Sequence, residues 1–242
     1  MGKEFEIVRE FEVEATPEEV WEAVTTGTGG WLWPMEFEPK EGGAGPFGST
    51  VTVWEPPRRF ISRADSPEGV PQQTFNQLEH LIGPREGGGS WVRYVHSGIF
   101  VDDWENQYDG ADKHTDFYLH TLRQYLLHFA GRPVTFATVD GPTAAGAPDA
   151  LEVAGRALGL APQAAVGDTV SVRLPGADDP VAVLDYRNPY FIGLRTDQAM
   201  YRVFGRNRFG ATVGVSVHDF APAADAERIG TEWTQWLERV YA

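Results

Sequence analysis

The feature that most constrains this chain is a change of period. Between residues 5 and 100 the apolar side chains recur mainly at every second position, whereas from 112 to 129 they recur at three and four: Thr115, Tyr118, Leu122, Tyr125, Leu126 and Phe129. Period two builds strands with one wet face, and period 3.6 builds a helix with one dry stripe. Short strands followed by one helix, predicted at roughly 27 Å from its 1.5 Å rise per residue, specify an α+β fold in which the helix covers an antiparallel sheet.

The individual segments follow from local chemistry. Phe5, Ile7, Phe11 and Val13 alternate with charged residues and predict the first strand. Thr16, Pro17 and Glu19 form a capping-box signature: the Thr16 hydroxyl can accept from the Glu19 amide while the Glu19 carboxylate reaches back. A helix to about Thr25 follows, with Val20, Trp21 and Val24 on its apolar face, and Gly27, Gly29 and Gly30 end it. Residues 35–38, 50–54, 59–64, 74–82 and 90–100 read as strands of a meander.

After residues 131–133 (GRP) the order starts again, with a strand at 136–140 and a helix at 148–158. Residues 48–53 (GSTVTV) are echoed by 167–172 (GDTVSV), and 59–65 (RFISRAD) by 190–197 (YFIGLRTD) with one insertion. A last helix places Ala226, Ile229, Trp233, Trp236, Leu237 and Val240 on one face. Two domains are therefore expected: residues 1–131, and a second, degenerate copy over 132–242.

Charge and composition narrow the function. Acidic residues number 35 and basic residues 20, a net charge of −15 that repels phosphate, so neither nucleic acid nor an anionic membrane surface is an expected partner. No apolar run reaches the roughly 20 residues of a membrane span, and residues 1–14 lack a signal-peptide core, which predicts a cytoplasmic protein. The absence of cysteine excludes disulfides, thiolate metal sites and a cysteine nucleophile.

Candidate site residues come from the hairpin 74–99. A register in which paired numbers sum to 172 sets Glu79 opposite Arg93 on one face, and Asn76, Leu78 and His80 opposite His96, Tyr94 and Val92 on the other. That second face supplies Asn76, His80, Tyr94 and His96 as the few polar groups of an apolar pocket. The long helix adds His114, Tyr118, Thr121 and Tyr125, three or four apart, and Trp21, Trp31 and Trp33 are candidates for the mouth. As ordinary core residues these side chains would instead pack with satisfied hydrogen bonds.

Other motifs carry less. His80 and His96 invite a metal, but no ligand motif such as H-E-x-x-H occurs, and His114 and His120 lie about 240° apart around a helix. Residues 43–48 (GAGPFG) satisfy G-x-G-x-x-G yet precede a strand, so a dinucleotide site is rejected. Ser90 and Ser97 lie in no nucleophile elbow. Asp102 and Asp103, with Trp104 and Glu105 after them, read as a solvated polar connection, and Arg202, Arg206 and Arg208 concentrate positive charge near a second-half hairpin.

The wording of three segments, 31–39 (WLWPMEFEP), 53–60 (VWEPPRRF) and 95–99 (VHSGI), resembles the SRPBCC (START-like) superfamily, most closely the branch named after the activator of the heat-shock-protein-ninety ATPase. It covers roughly residues 5–130. The resemblance implies a helix-grip fold, a curved antiparallel sheet around a long C-terminal helix with an apolar cavity between them. It implies a hydrophobic or amphipathic small molecule as partner and no cofactor. Two alternatives stand beside it: a cyclase- or hydrolase-type enzyme using pocket histidine and tyrosine, and a chaperone-linked protein-interaction module using Trp31 and Trp33. No catalytic constellation is identified.

Overall fold

The computed structural model describes residues 2–66, 73–177 and 180–242, and its chain divides into two compact units, Met1–Gly131 and Arg132–Ala242. The first unit runs β1 (Lys3–Val13), α1 (Pro17–Thr25), β2 (Thr50–Glu55), β3 (Arg59–Asp65), β4 (Gln73–Pro84), β5 (Ser90–Phe100) and α2 (Trp104–His128). Its sheet is antiparallel, in the order β1-β5-β4-β3-β2. The alternation of β1 buries Phe5, Ile7 and Val13. Thr16 caps α1 as expected: its hydroxyl accepts from the Glu19 amide at 3.3 Å, and its own amide donates to Glu19 Oε2 at 2.8 Å.

Helix α2 grips this sheet. Arg9 on β1 holds it with two ion pairs, to Asp112 at 2.7 Å and to Asp116 at 2.6 Å. At 25 residues it is about 37 Å long and starts eight residues earlier than the apolar period from 112 predicts. The polar connection expected at 102–105 is therefore shorter, and Trp104 already belongs to the helix. Its first turns are packed: Trp104, Tyr108 and Ala111 lie against Phe5, Ile7 and Phe100.

Two expectations fail here. Residues 35–38 form no strand. Their alternation is real, with Met35 and Phe37 half-buried and Glu36 and Glu38 exposed, but the chain turns back so that Glu38 N–H donates to Ala44 O at 2.8 Å. Beside β2 this leaves one isolated bridge, Ala44 to Thr50. An alternating pattern reports a wet and a dry face, and a cavity wall supplies those as well as a ladder does.

The hairpin register is also shifted by two. Paired numbers sum to 174, so Leu78 meets His96, His80 meets Tyr94 and Leu81 meets Arg93. The charge pair that favoured the other register is satisfied elsewhere: Glu79 binds Arg59 of β3, Oε1 to Nε at 3.0 Å, and Arg93 reaches Glu10 of β1 at 3.3 Å. A slip of two preserves the faces, because side chains alternate with period two.

The second unit runs β6 (Thr135–Asp140), α3 (Ala150–Ala157), β7 (Thr169–Ser171), β8 (Val181–Arg187), β9 (Phe191–Arg195), β10 (Ala199–Phe204), β11 (Gly214–Asp219) and α4 (Ala226–Val240). Its antiparallel sheet, β6-β11-β10-β9-β8-β7, repeats the first with one strand added at the far edge. The echo between 59–65 and 190–197 falls on β3 and β9, which hold equivalent places. The echo between 48–53 and 167–172 does not, since β2 lies beside β3 whereas β7 lies one strand beyond β8, the neighbour of β9.

Both units have the helix-grip arrangement but fill it differently. In the second, Ile229, Trp233, Trp236 and Leu237 of α4 and Leu151, Ala154 and Leu158 of the α3 segment form one buried cluster with Val203, Val215 and Val217 of the sheet. Its arginines are committed: Arg202 makes a buried pair with Asp185 at 2.9 Å, Arg206 binds Asp140 at 2.9 Å and Arg208 reaches Glu152 at 3.3 Å. They balance local carboxylates rather than forming one basic patch.

Candidate ligand-binding cavity

In the first unit the space between sheet and helix is hollow. A cavity of about 320 Å3 is bounded by Ser62 and Ala64 of β3, Asn76 and Leu78 of β4, Tyr94 and His96 of β5, and Ala111, His114, Thr115 and Tyr118 of α2. Its fourth side is the irregular segment containing Trp33, Met35 and Phe37, with Phe47 of the turn at 46–48. This is the edge where the second unit has an extra strand. Replacing a paired strand by a coil frees the Met35 and Phe37 side chains to line a void rather than a sheet face.

A smaller chamber of about 40 Å3 lies deeper and shares Met35, Phe37, Leu78, Tyr94 and Tyr118 with the larger one. It adds Phe60, His80 and Trp31. The His80 ring stacks on Phe60 with centroids 6.1 Å apart and meets Tyr94 at 5.1 Å. At the mouth, Trp33 makes edge contacts with Tyr118 at 5.8 Å and Phe47 at 6.3 Å. Phe47 is 53% exposed and holds a left-handed backbone, φ 57°.

Polar groups are few and mostly tied. His96 Nε2 lies 2.7 Å from Asn76 Oδ1; a carbonyl oxygen only accepts, so this contact places the imidazole proton on Nε2. His114 Nδ1 donates to Gly110 O at 2.7 Å. Both ring nitrogens of His80 and the indole N–H of Trp33 are buried and find no hydrogen-bond partner among the described residues. Desolvation lowers His80 and His96 to about 4, so both are neutral at pH 7. Burial raises the Tyr94 hydroxyl, partly offset by its hydrogen bond with Thr115.

The residues singled out in the sequence separate into two groups. Asn76, Tyr94, His96, His114, Tyr118 and Trp33 line the larger cavity, and His80 lines the inner chamber. Thr121 instead donates to Phe117 O within α2 at 2.9 Å. Tyr125 packs where Gly30 approaches α2, and Trp21 makes edge contacts with Trp54 and Phe60; neither lines either chamber. Trp31 is no gate, being buried with its indole N–H donated to Ala23 O at 2.8 Å.

Sequence reasoning missed Met35, Phe37 and Phe47. The alternation at 35–38 carried the signal for the first two, attributed there to a strand.

Among the described residues no group of three or more histidine and acidic side chains could hold a metal, and no helix is long and apolar enough to cross a membrane. In the second unit an open groove of about 550 Å3 lies between the sheet and α4, with the charged Asp197, Asp219, Arg228 and Glu232 and the apolar Tyr201, Val217, Ile229 and Trp233 in its walls.

No protein-family model and no curated protein matches the chain. Among solved structures it is similar to protein MLL2253 of Mesorhizobium loti, at 22% identity and TM-score 0.43 over 52% of this chain and 98% of that one. DynU16, from the dynemicin biosynthetic locus, is similar over 98% of this chain and 95% of its own, at 14% identity and TM-score 0.41. The Aha1 protein of Colwellia psychrerythraea is similar over 50% and 96%, at 18% identity and TM-score 0.37.

Proposed function

We propose that the first unit binds a hydrophobic or amphipathic small molecule between its sheet and α2, and that the chain is a START-like protein with a second, divergent copy over 132–242. The observation that carries this reading is the hollow itself. Well-packed interiors leave few voids larger than a water molecule, and each void forfeits dispersion contacts. A cavity of about 320 Å3 lies at the lower end of the range of small-molecule sites, and aromatic walls with a few fixed polar groups are how such sites are built. The second unit, with its packed core and open, charged groove, serves as scaffold.

The test is extraction of the detergent-free purified chain and mass spectrometry of the extract against a mock preparation. A reproducible apolar compound near stoichiometry is the expected result. An empty extract, together with no change in melting temperature across a panel of apolar compounds, would overturn the proposal.

The His96–Asn76 pair favours a second reading, an acid–base enzyme of cyclase or hydrolase type working in the same cavity. A histidine held near 4 is neutral at pH 7 and can only begin a cycle as base or hydrogen-bonding group. His96→Ala separates the two: turnover lost with binding retained means catalysis, whereas weaker binding alone means a carrier.

A further inference from the structure

Three observations about the cavity concern charge, size and one histidine. The described residues lining both chambers include no lysine, arginine, aspartate or glutamate. A buried ion needs a counter-charge, and an unpaired carboxylate or ammonium moved from water into such a space keeps its full desolvation cost. Of the lining histidines, His80 and His96 are neutral and offer no cation, and His114 has its Nδ1 committed to Gly110 O. The net charge of −15 further disfavours an anion approaching the mouth.

Size comes next. An engineered cavity of roughly 150 Å3 in another protein holds one benzene ring, so about 320 Å3 corresponds to about two rings. The histidine gives orientation. His80 is only 4% exposed, lines the inner chamber and has both ring nitrogens without a partner among the described residues. Such groups are uncommon, because each unmade hydrogen bond carries a desolvation penalty. A neutral imidazole has one donor and one acceptor on diverging sides of its ring, and a hydroxyl can pair with either one, whereas a carboxylate can only accept.

Resting on the binding reading above, we infer that the cavity takes an uncharged compound of about two fused rings that enters hydroxyl-first, seating that hydroxyl in the inner chamber against His80. Trp33 and Phe47 then cover the apolar end at the mouth. The ligand hydroxyl supplies one of the two hydrogen bonds that His80 lacks, so recognition and that unmet polar atom have one cause.

Calorimetric titration of the full chain at pH 7 with four naphthalene probes of one shape tests this. Naphthylmethanol is expected to bind, and naphthoate and naphthylmethylammonium to bind at least about 100-fold more weakly, given the cost of an unpaired buried charge. In His80→Phe the affinity for naphthylmethanol should fall about 10-fold, the effect of one hydrogen bond, while methylnaphthalene binds as before and reports an intact cavity. Binding of either ion within about 10-fold of the alcohol, or equal losses for alcohol and hydrocarbon in His80→Phe, overturns this inference and leaves the binding reading standing. Failure of all four probes on the unaltered chain overturns this inference, while the binding reading stands or falls on the extraction and the panel of apolar compounds.

Discussion

A histidine with two unmatched ring nitrogens costs the folded state something, and His80 makes that cost measurable. Replacing it with phenylalanine keeps a planar ring against Phe60 and Tyr94 and removes the unmet polar atoms. We expect His80→Phe to stabilise the ligand-free chain by about 1 kcal/mol in urea unfolding, the opposite sign to its effect on naphthylmethanol binding. Such opposition is what a group kept for function at the expense of stability produces. A loss of stability would show that His80 already has a partner in solution. The pH dependence follows from the same residue and His96. Both are lowered in the fold to about 4, against about 6.5 in the unfolded chain. Between those values the unfolded state binds more protons, so their contribution is fully present above about pH 6.5 and is lost as pH falls through about 4. Near pH 5 each histidine gives stability a slope of up to about 1.4 kcal/mol per pH unit. Urea midpoints measured from pH 7 to pH 4.5 should fall accordingly, and His80→Phe should remove about half of the histidine contribution.

At the scale of elements, the cavity depends on where α2 is pinned. Arg9 ties it to β1 through Asp112 and Asp116, and further along Tyr125 lies so close to Gly30 that a Cβ there would overlap its ring. Gly30→Ala is therefore expected to push α2 or its tyrosine outward and to cost about 1–3 kcal/mol, the range for overpacking a core. Thermal unfolding checks this, and an unchanged melting temperature would mean that the approach is loose. What was legible at this scale followed from local rules. The capping box, the wet-and-dry alternation of β1 and the dry stripe of α2 each rest on interactions within a few residues. The first turns of α2 were not read: 104, 108, 111, 115, 118 and 122 continue one three-and-four pattern, but Gly110 and the acids around it masked the start. The hairpin register was not legible. Arg93 and Glu79 satisfied a two-strand argument, and only the neighbouring strands, bringing Glu10 and Arg59, offered each a different partner. The face of the hairpin survived the error because a slip of two keeps it, and so its four candidate residues, Asn76, His80, Tyr94 and His96, still reached the cavity or its inner chamber.

Across the whole molecule, one architecture occurs twice with differently built interiors, an apolar cavity in the first unit and a packed core beside an open, charged groove in the second. The first unit ends its sheet at β2 and lets a coil with Met35 and Phe37 wall a void; the second adds β7 and packs two tryptophans of α4 into its core. Volume, unlike period, is summed over residues far apart in sequence, so no local pattern distinguishes a hollow unit from a filled one. The clue available in the sequence is bulk at matching helix positions: α4 offers Trp233 and Trp236, while the cavity-facing stretch of α2 offers Ala111, His114, Thr115 and Tyr118. This contrast predicts different responses to truncation. Trp233 is 2% exposed and lies against Tyr201 and Trp236 at 5.8 and 5.2 Å. Trp233→Ala should therefore cost about 3–5 kcal/mol, the transfer term plus the void it leaves. Both tryptophans border a space, Trp33 the cavity and Trp233 the groove along α4, but Trp233 is buried in a packed cluster whereas Trp33 is only half-buried at the mouth, so the cost of Trp33→Ala should be well under half of that. Urea unfolding of both variants measures the difference. Equal losses would mean that the first unit is as tightly packed in solution as the second, and would remove the physical basis for a bound ligand.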